Sequence, residues 1–382
     1  MPAMVEPQMR LGQPCWRLAN DEVELLVTVQ GGHLGPVTFD RHGKAITPLS
    51  VAPWATEPVD KSLPPILQVL RGDFFCLTFG DNASPWRGEK HPVHGETANN
   101  PWTLQSAGRQ GQCSTLHLFQ TLAVRPGRVD KYLALQDGHN AVYCRHVISG
   151  MSGPVNPGHH AMLKFPDQPA CGRITTAPFA YAQVFPHALE SEASRGASAL
   201  RPAARFEQLS AAPLAAGGTT DLSRYPARRG YEDAVQLCAD PALRLGWTAV
   251  TFPQPGYLWL ALKDPQVLTG TVFWFSNGGR HYAPWNGRHI NVMGLEEVTS
   301  YFNLGLAESA EPNSLTRLGY RTSLTLDPQR PLMVNYIMAV AATPPGFEAV
   351  ASLKRSNAGV TLVAPSGQQV AVPVDVDWLW GK

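Results

Sequence analysis

The sequence predicts an all-β fold, one large antiparallel β-sandwich with few short helices, and residues 1–382 are read as a single domain. Three observations carry this expectation. Short apolar runs alternate with period two and are rich in aromatic and β-branched residues, as half-buried antiparallel strands require. The 34 prolines and 34 glycines are scattered between those runs, and proline ends a helix because it lacks the backbone donor and clashes with the preceding turn. No segment shows the strand, crossover helix, strand rhythm of a parallel α/β sheet.

Taken in order, residues 20–30 (NDEVELLVTVQ) read as a strand ending at Gly31-Gly32. Residues 115–122 form another. Strands at 129–136 and 141–149 flank Asp137-Gly138-His139-Asn140, a hairpin turn by composition. Further strands are expected at 245–252, 256–263 and 270–276. The C-terminus closes with 359–364, a Pro-Ser-Gly turn, and 369–377. Two stretches carry a helical pattern, 231–238 (YEDAVQLC) and 295–308 (LEEVTSYFNLGLAE). The Ala/Pro/Gly/Ser-rich stretch 190–220 reads either as an interdomain linker or as a surface excursion of one sandwich.

Composition excludes several function classes. With 31 Lys+Arg against 30 Asp+Glu the formal net charge is +1. There is no basic block of the kind that counterion release on nucleic acid or an anionic membrane would exploit. No apolar run reaches the length of a spanning helix. The N-terminal MPAMVEPQMRLGQPCW lacks the apolar core of a secretory signal. Six cysteines are dispersed without a C-x-x-C pair, which reads as isolated thiols of a cytoplasmic protein. No heptad or aromatic stripe identifies a dimer surface, so a homodimer stays open.

Four clusters gather His, Arg, Glu and Asp among Gly, Pro and Trp, the composition of substrate-facing loops on a rigid scaffold. They are LRGDFFCLTFGDN (70–82), HPVHGETANNPW (91–102), NPGHHAMLKFP (156–166) and FSNGGRHYAPWNGRHINVMGLEEVTSYF (275–302). His91 and His94 stand three apart, a spacing compatible with a metal, but no ligand set of a known metal family follows, and neither a metal nor a cofactor is expected. His159 and His160 point to opposite faces if they lie on a strand. Trp86, Trp102 and Trp285 suit either sugar stacking or core packing.

In order along the chain, these clusters resemble the galactose mutarotase-like superfamily, the aldose 1-epimerases, at low density over most of its length. The resemblance rests on ELLVTVQGGHLGPVTF, on Arg71-Gly72-Asp73 through Phe79-Gly80, on His94-Gly95 and on His160 in GHHAML. It continues with Gly230-Tyr231-Glu232-Asp233 and Leu295-Glu296. It implies a small-molecule sugar as ligand and interconversion of its anomers by ring opening, in which a base takes the anomeric proton while an acid protonates the ring oxygen. It assigns the base to Glu296 and the acid to His160, and the two should face each other across a pocket one pyranose wide. His94 and Arg71 would bind hydroxyls, with Asp233 or Glu232 holding another. Where sugar-phosphate relatives carry a phosphate-binding Arg, Ala98 stands here, which argues for an unphosphorylated sugar unless Arg87, Arg280 or Arg288 substitutes. The stretch NGGRHYAPWNGRH, with Arg280, Trp285 and Arg288, is either a second pocket wall or a loop pairing its arginines with Glu296 or Glu297. A non-catalytic sugar-binding protein with the same pocket is the alternative.

Overall fold

In the computed structural model, which describes residues 6–381, nearly all regular structure is antiparallel sheet. The first residues read for a leader, 1–5, and Lys382 lie outside the described residues. A nine-stranded sheet runs, edge to edge, through Arg224–Tyr225, Gly172–Thr176, Gly246–Phe252, Tyr257–Lys263, Leu332–Ala342, Ala141–Ser149, Gly127–Gln136, Cys113–Leu122 and Thr103–Gln110. Facing it is a seven-stranded sheet whose strands in chain order are β1 (Phe75–Cys76), β2 (Gly158–Lys164), β3 (Phe179–Val184), β4 (Arg205–Phe206), β5 (Glu232–Ala239), β6 (Gly270–Ser276) and β7 (Val292–Val298). In space the order is β4-β3-β5-β6-β7-β2-β1.

Alternation along each strand builds the layers. Odd-numbered residues of β7, Met293 and Leu295, join Phe273, Phe275 and Leu163 in the core between the sheets, where they meet Leu116, Leu133, Trp259 and Met338 of the nine-stranded sheet. Even-numbered positions face the other way and pack under loops, with Met162, Val272, Trp274 and Val292 in a second cluster beside Trp54 and Trp285. An N-terminal four-stranded sheet, Gln8–Phe39, adds Trp16, Leu25 and Val27 to the central core. The outer face of the nine-stranded sheet is covered by the C-terminal meander Ser352–Ser356, Gly359–Val363, Gln369–Pro373 and the 3-10 turn Val376–Trp380. Each fully buried Val or Leu of that cover contributes about 1.5–3 kcal/mol by leaving water.

The strands expected from period-two patterning are present, except that the last, 369–377, ends at Pro373 and its final residues enter a 3-10 turn, and Gly127–Gln136 and Ala141–Ser149 pair as the predicted hairpin. The two helical expectations are corrected. Residues 232–238 fall in β5, and of 295–308 the start lies in β7 and only 306–308 are helical, at the start of a short helix. Both strands are buried on both faces, and they carry buried polar residues (Glu232, Asp233 and Gln236 in one, Glu296 and Glu297 in the other), so neither shows a clean two-residue alternation of apolar and polar side chains. The actual α-helices are short, α1 (Pro65–Val69) and α2 (Leu306–Ala310). The 190–220 stretch is an excursion docked on the sandwich. It supplies edge strand β4, and Gly196 bridges to Arg280. Among the described residues no helix is long and apolar enough to cross a membrane.

One buried ion pair ties the two sheets together. Glu297 on β7 meets Lys263 Nζ from the nine-stranded sheet. Its two carboxylate oxygens accept from Thr248 Oγ1 at 2.6 Å and Thr271 Oγ1 at 2.7 Å. Lys263 also donates to the Gly270 carbonyl at 2.5 Å. Removing one partner strands a charge in the core, so Lys263→Met or Glu297→Leu alone should cost about 3–5 kcal/mol. The double replacement should recover most of that loss, as read by denaturant midpoints at unchanged m-value.

Candidate functional site

A cavity of about 320 Å³ opens on the outward face of the seven-stranded sheet. Its floor is made by even-numbered side chains of adjacent strands, Val272 and Trp274 from β6, Glu296 from β7, His160 from β2 and Ala234 from β5. Its walls are loops and α1.

His160 and Glu296 are directly paired across β2 and β7, in a register that also pairs His159 with Glu297. His160 Nε2 lies 3.2 Å from Glu296 Oε1. The two are therefore not across the pocket from each other, as expected from sequence, but side by side on its floor, because neighbouring strands in register project paired side chains together. Gly294, two residues before Glu296 on the same face, makes room. A Cβ there would lie 2.4 Å from Glu296 Oε1. The His160 ring stacks on Phe74 at 4.5 Å and meets the edges of His94 at 4.9 Å and Trp274 at 5.8 Å.

Burial dominates the electrostatics. Desolvation raises the Glu296 carboxyl well above its ordinary range, with Arg280 opposing and Asp81 adding to the shift. Desolvation, with help from His94, lowers His160 well below 6.5. Both shifts favour the uncharged partners, so burial places the proton the pair shares on the Glu296 carboxyl and leaves the imidazole neutral. The His160 Nδ1 atom is buried without a partner.

His94 is set by a tight turn. It adopts φ +57 and Gly95 φ +76, and a Cβ on Gly95 would sit 1.9 Å from the Leu77 carbonyl oxygen. Only glycine fits there. The Gly80 N–H donates to His94 Nδ1 at 3.3 Å, which leaves the proton of the neutral ring on Nε2. Burial lowers the His94 pKa to about 3, so the ring stays neutral.

Arg280 forms the opposite wall. Its guanidinium lies over the rings of Trp285 at 4.6 Å and Trp274 at 5.2 Å, and Nε donates to Glu190 Oε1 at 2.7 Å. Tyr282 OH donates to the same oxygen at 3.0 Å. Glu232 lies 3.9 Å from Arg280 Nε and accepts from Trp274 Nε1 at 2.9 Å, Ser276 Oγ at 3.0 Å and the Gly279 N–H at 3.2 Å. Burial disfavours the charge on Arg280, but Glu232, Tyr282 and Glu190 more than offset it.

The structure thus brings together His160, Glu296, His94, Arg280 and Trp285 of the residues singled out from sequence. It places the others elsewhere. Arg71 is fully buried and donates to the carbonyls of Val69, Arg10 and Leu11, which leaves no guanidinium group for a ligand. Asp233 faces away from the cavity, since strand alternation gives the cavity position to Ala234, and it accepts from the N–H groups of Ala199 and Leu200. Arg288 is a surface group paired bidentately with Glu57. NGGRHYAPWNGRH is a pocket wall through Arg280, Tyr282 and Trp285, and its arginines pair with Glu190 and Glu57, not with Glu296 or Glu297. Trp102 is buried with its indole N–H on the Thr97 carbonyl, and Trp86 lies under Arg87.

Several lining residues escaped the sequence reading. Trp274 carried a signal, because alternation in GTVFWFS sets it on the face of Val272. Asp81 lay inside a polar cluster, unassigned. Glu190 sits in a stretch without periodicity, and the α1 residues Ile66 and Leu67 follow Pro64-Pro65 too briefly to show a pattern. Among the described residues no three His, Cys, Asp or Glu side chains form a metal-binding group.

No protein-family model and no curated protein sequence matches the chain. Solved structures do. A galactose mutarotase-like protein from Clostridium acetobutylicum superposes with TM-score 0.57 at 14% identity, over 88% of this chain and 98% of its own. A candidate aldose 1-epimerase from Escherichia coli K12 gives 0.56 at 15%, over 87% and 100%. A galactose mutarotase related enzyme from Lactobacillus acidophilus gives 0.54 at 11%, over 86% and 98%. At such identities the likeness shows the fold, and the fold is the galactose mutarotase-like β-sandwich.

The Glu232 carboxyl, raised from 4.5 to about 7 mainly by burial, makes a pH prediction. Because the folded-state pKa is the higher one, the folded state holds the proton longer, and this group's contribution to stability falls as pH rises from about 4.5 through about 7. Between pH 5 and pH 8 the wild type should lose up to about 3 kcal/mol more unfolding free energy than Glu232→Gln. Equal pH slopes for the two proteins would show that Glu232 is ionised throughout.

Proposed function

We propose that this chain is an aldose 1-epimerase-like isomerase, interconverting the anomers of a reducing, unphosphorylated sugar in the cytoplasm. The observation that carries the reading is the 3.2 Å contact between His160 and Glu296 on the cavity floor. In a cyclic hemiacetal the anomeric hydroxyl and the ring oxygen are bonded to the same carbon. An acid and a base that stand next to each other can reach both at once.

The chemistry follows from one shared proton. Glu296 takes the proton of the anomeric hydroxyl while His160 gives one to the ring oxygen. The bond between C1 and the ring oxygen breaks and C1 becomes an aldehyde carbon. Rotation about C1–C2 presents the other face, and the same two groups, with protons exchanged, reverse the steps. The uncharged pair that burial favours contains the same number of protons as carboxylate plus imidazolium, so only a transfer between neighbours separates the resting and reacting forms. His94 Nε2–H and the terminal amines of Arg280 supply donors for the sugar hydroxyls, and Trp274 and Trp285 supply ring faces for its C–H groups. The all-thiol cysteines, all six free, suit the cytoplasmic setting.

The test is anomer exchange followed by magnetisation transfer across a panel of aldoses. Wild type should accelerate exchange for at least one of them. Glu296→Gln should slow it by about 10²–10⁴ with ligand affinity kept within several-fold. Activity should be flat around neutrality. It should fall in acid as His160 and Glu296 are both protonated, and fall in base as the shared proton leaves. Binding without any acceleration would instead make the chain a sugar-binding protein, and full activity in Glu296→Gln would overturn the assignment.

A further inference from the structure

The cavity has one wall that the ring-opening chemistry does not use. Pro64, Ile66, Leu67, Leu70, Val93 and Leu189 line it with carbon. The backbone of α1 and the adjoining loop is already engaged. The Ile66 N–H donates to Asn99 Oδ1 at 3.1 Å. The Leu67 carbonyl accepts from Trp54 Nε1 at 2.6 Å, and the Val93 carbonyl accepts from Asn99 Nδ2 at 2.7 Å. The Leu67 N–H donates to Pro64, and the Leu70 carbonyl accepts from Ala52. The α1 wall is therefore held in place at both ends, with these backbone groups already engaged and only carbon side chains presented by Pro64, Ile66, Leu67, Leu70, Val93 and Leu189. A free hexose carries a hydroxyl or hydroxymethyl at every ring carbon except C1, where the hydroxyl is anomeric. Any of these groups set against this wall would lose water and gain no partner.

The charges of the lining point the same way. Asp81, Glu190 and Glu296 contribute carboxyl groups, and Arg280, whose Nε is taken by Glu190, is the one guanidinium among the lining residues. A phosphate or carboxylate substituent meets three carboxyl groups here and a guanidinium already paired with one of them. We infer that the ligand is a neutral reducing sugar bearing a methyl group where a free hexose has a hydroxyl, with that methyl seated against Leu67 and Leu189. The methyl belongs either to a 6-deoxy sugar or to an N-acetyl group. This inference rests on the preceding reading that a reducing sugar sits over His160 and Glu296.

Both sources of the methyl are tested with matched pairs on the full chain by isothermal titration: D-galactose against D-fucose, L-mannose against L-rhamnose, and D-glucose against N-acetyl-D-glucosamine. Glucose 6-phosphate and glucuronate serve as the anionic arm. At least one methyl-bearing sugar should bind about 10-fold or more tighter than its hydroxylated partner, the discrimination one apolar group commands, and the anionic sugars weakest. A preference confined to the deoxy pairs names the 6-deoxy class, and one confined to the third pair names the N-acetyl class. Leu67→Asn and Leu189→Asn, both at partly exposed positions, should each bring that ratio toward one. Equal or tighter binding of every hydroxylated partner, or tightest binding of an anionic sugar, overturns the inference, as does a wild-type ratio that neither variant changes. Anomer exchange is read in the same samples. Exchange without methyl preference sinks this inference and leaves the isomerase reading standing, whereas methyl preference without exchange does the reverse. No binding of any sugar overturns both.

Discussion

The pairing of β2 with β7 is the constraint on which the site depends. Because side chains alternate faces along a strand, the register that sets His160 opposite Glu296 also sets His159 opposite Glu297, and each pair belongs to a different environment. His160 and Glu296 point into the cavity, while their neighbours point into the core. There Glu297 meets Lys263 and His159 Nδ1 lies 2.9 Å from Asp73 Oδ2. A slip of one residue would exchange the two sets and bury the wrong one. The interior Glu297–Lys263 ion pair and the His159–Asp73 contact thus help define which face of these strands lines the cavity.

Around this floor the loops supply what strands cannot. The His94-Gly95 turn approaches the Leu77 backbone too closely for any side chain, and it places a neutral imidazole edge-on to His160. The excursion at 190–220 contributes Glu190, and its bridge from Gly196 helps seat Arg280 between two indoles. A guanidinium reaching the cavity from the 275–302 segment is consistent with Arg71 being spent on backbone carbonyls beneath the N-terminal hairpin. Glu190 pairs directly with the buried guanidinium, and Glu232, whose carboxyl burial pushes up to about 7, stands 3.9 Å from it.

The sandwich was legible because most of its strands have one face in the core and one face less apolar, which leaves a two-residue rhythm. It failed to show in β5 and β7, where both faces are buried and the runs lose their alternation. The His160–Glu296 pair was legible through motif order, and the histidine doublet carried the extra information that only one of the two could face the cavity. What sequence order does not contain is which polar side chain a loop consumes locally. Arg71, Asp233 and Arg288 have the right chemistry for a sugar, and each is satisfied by backbone groups or a surface carboxylate. Glu190 and the α1 wall arrive from segments without periodicity, so nothing local marks them.

The most direct test of the account is a crystal structure of the full chain with a bound aldose. The account predicts that C1 lies over the β2–β7 pair, with the anomeric oxygen and the ring oxygen each within hydrogen-bond reach of Glu296 or His160. A sugar bound with C1 turned toward α1, or bound outside this cavity, would contradict it.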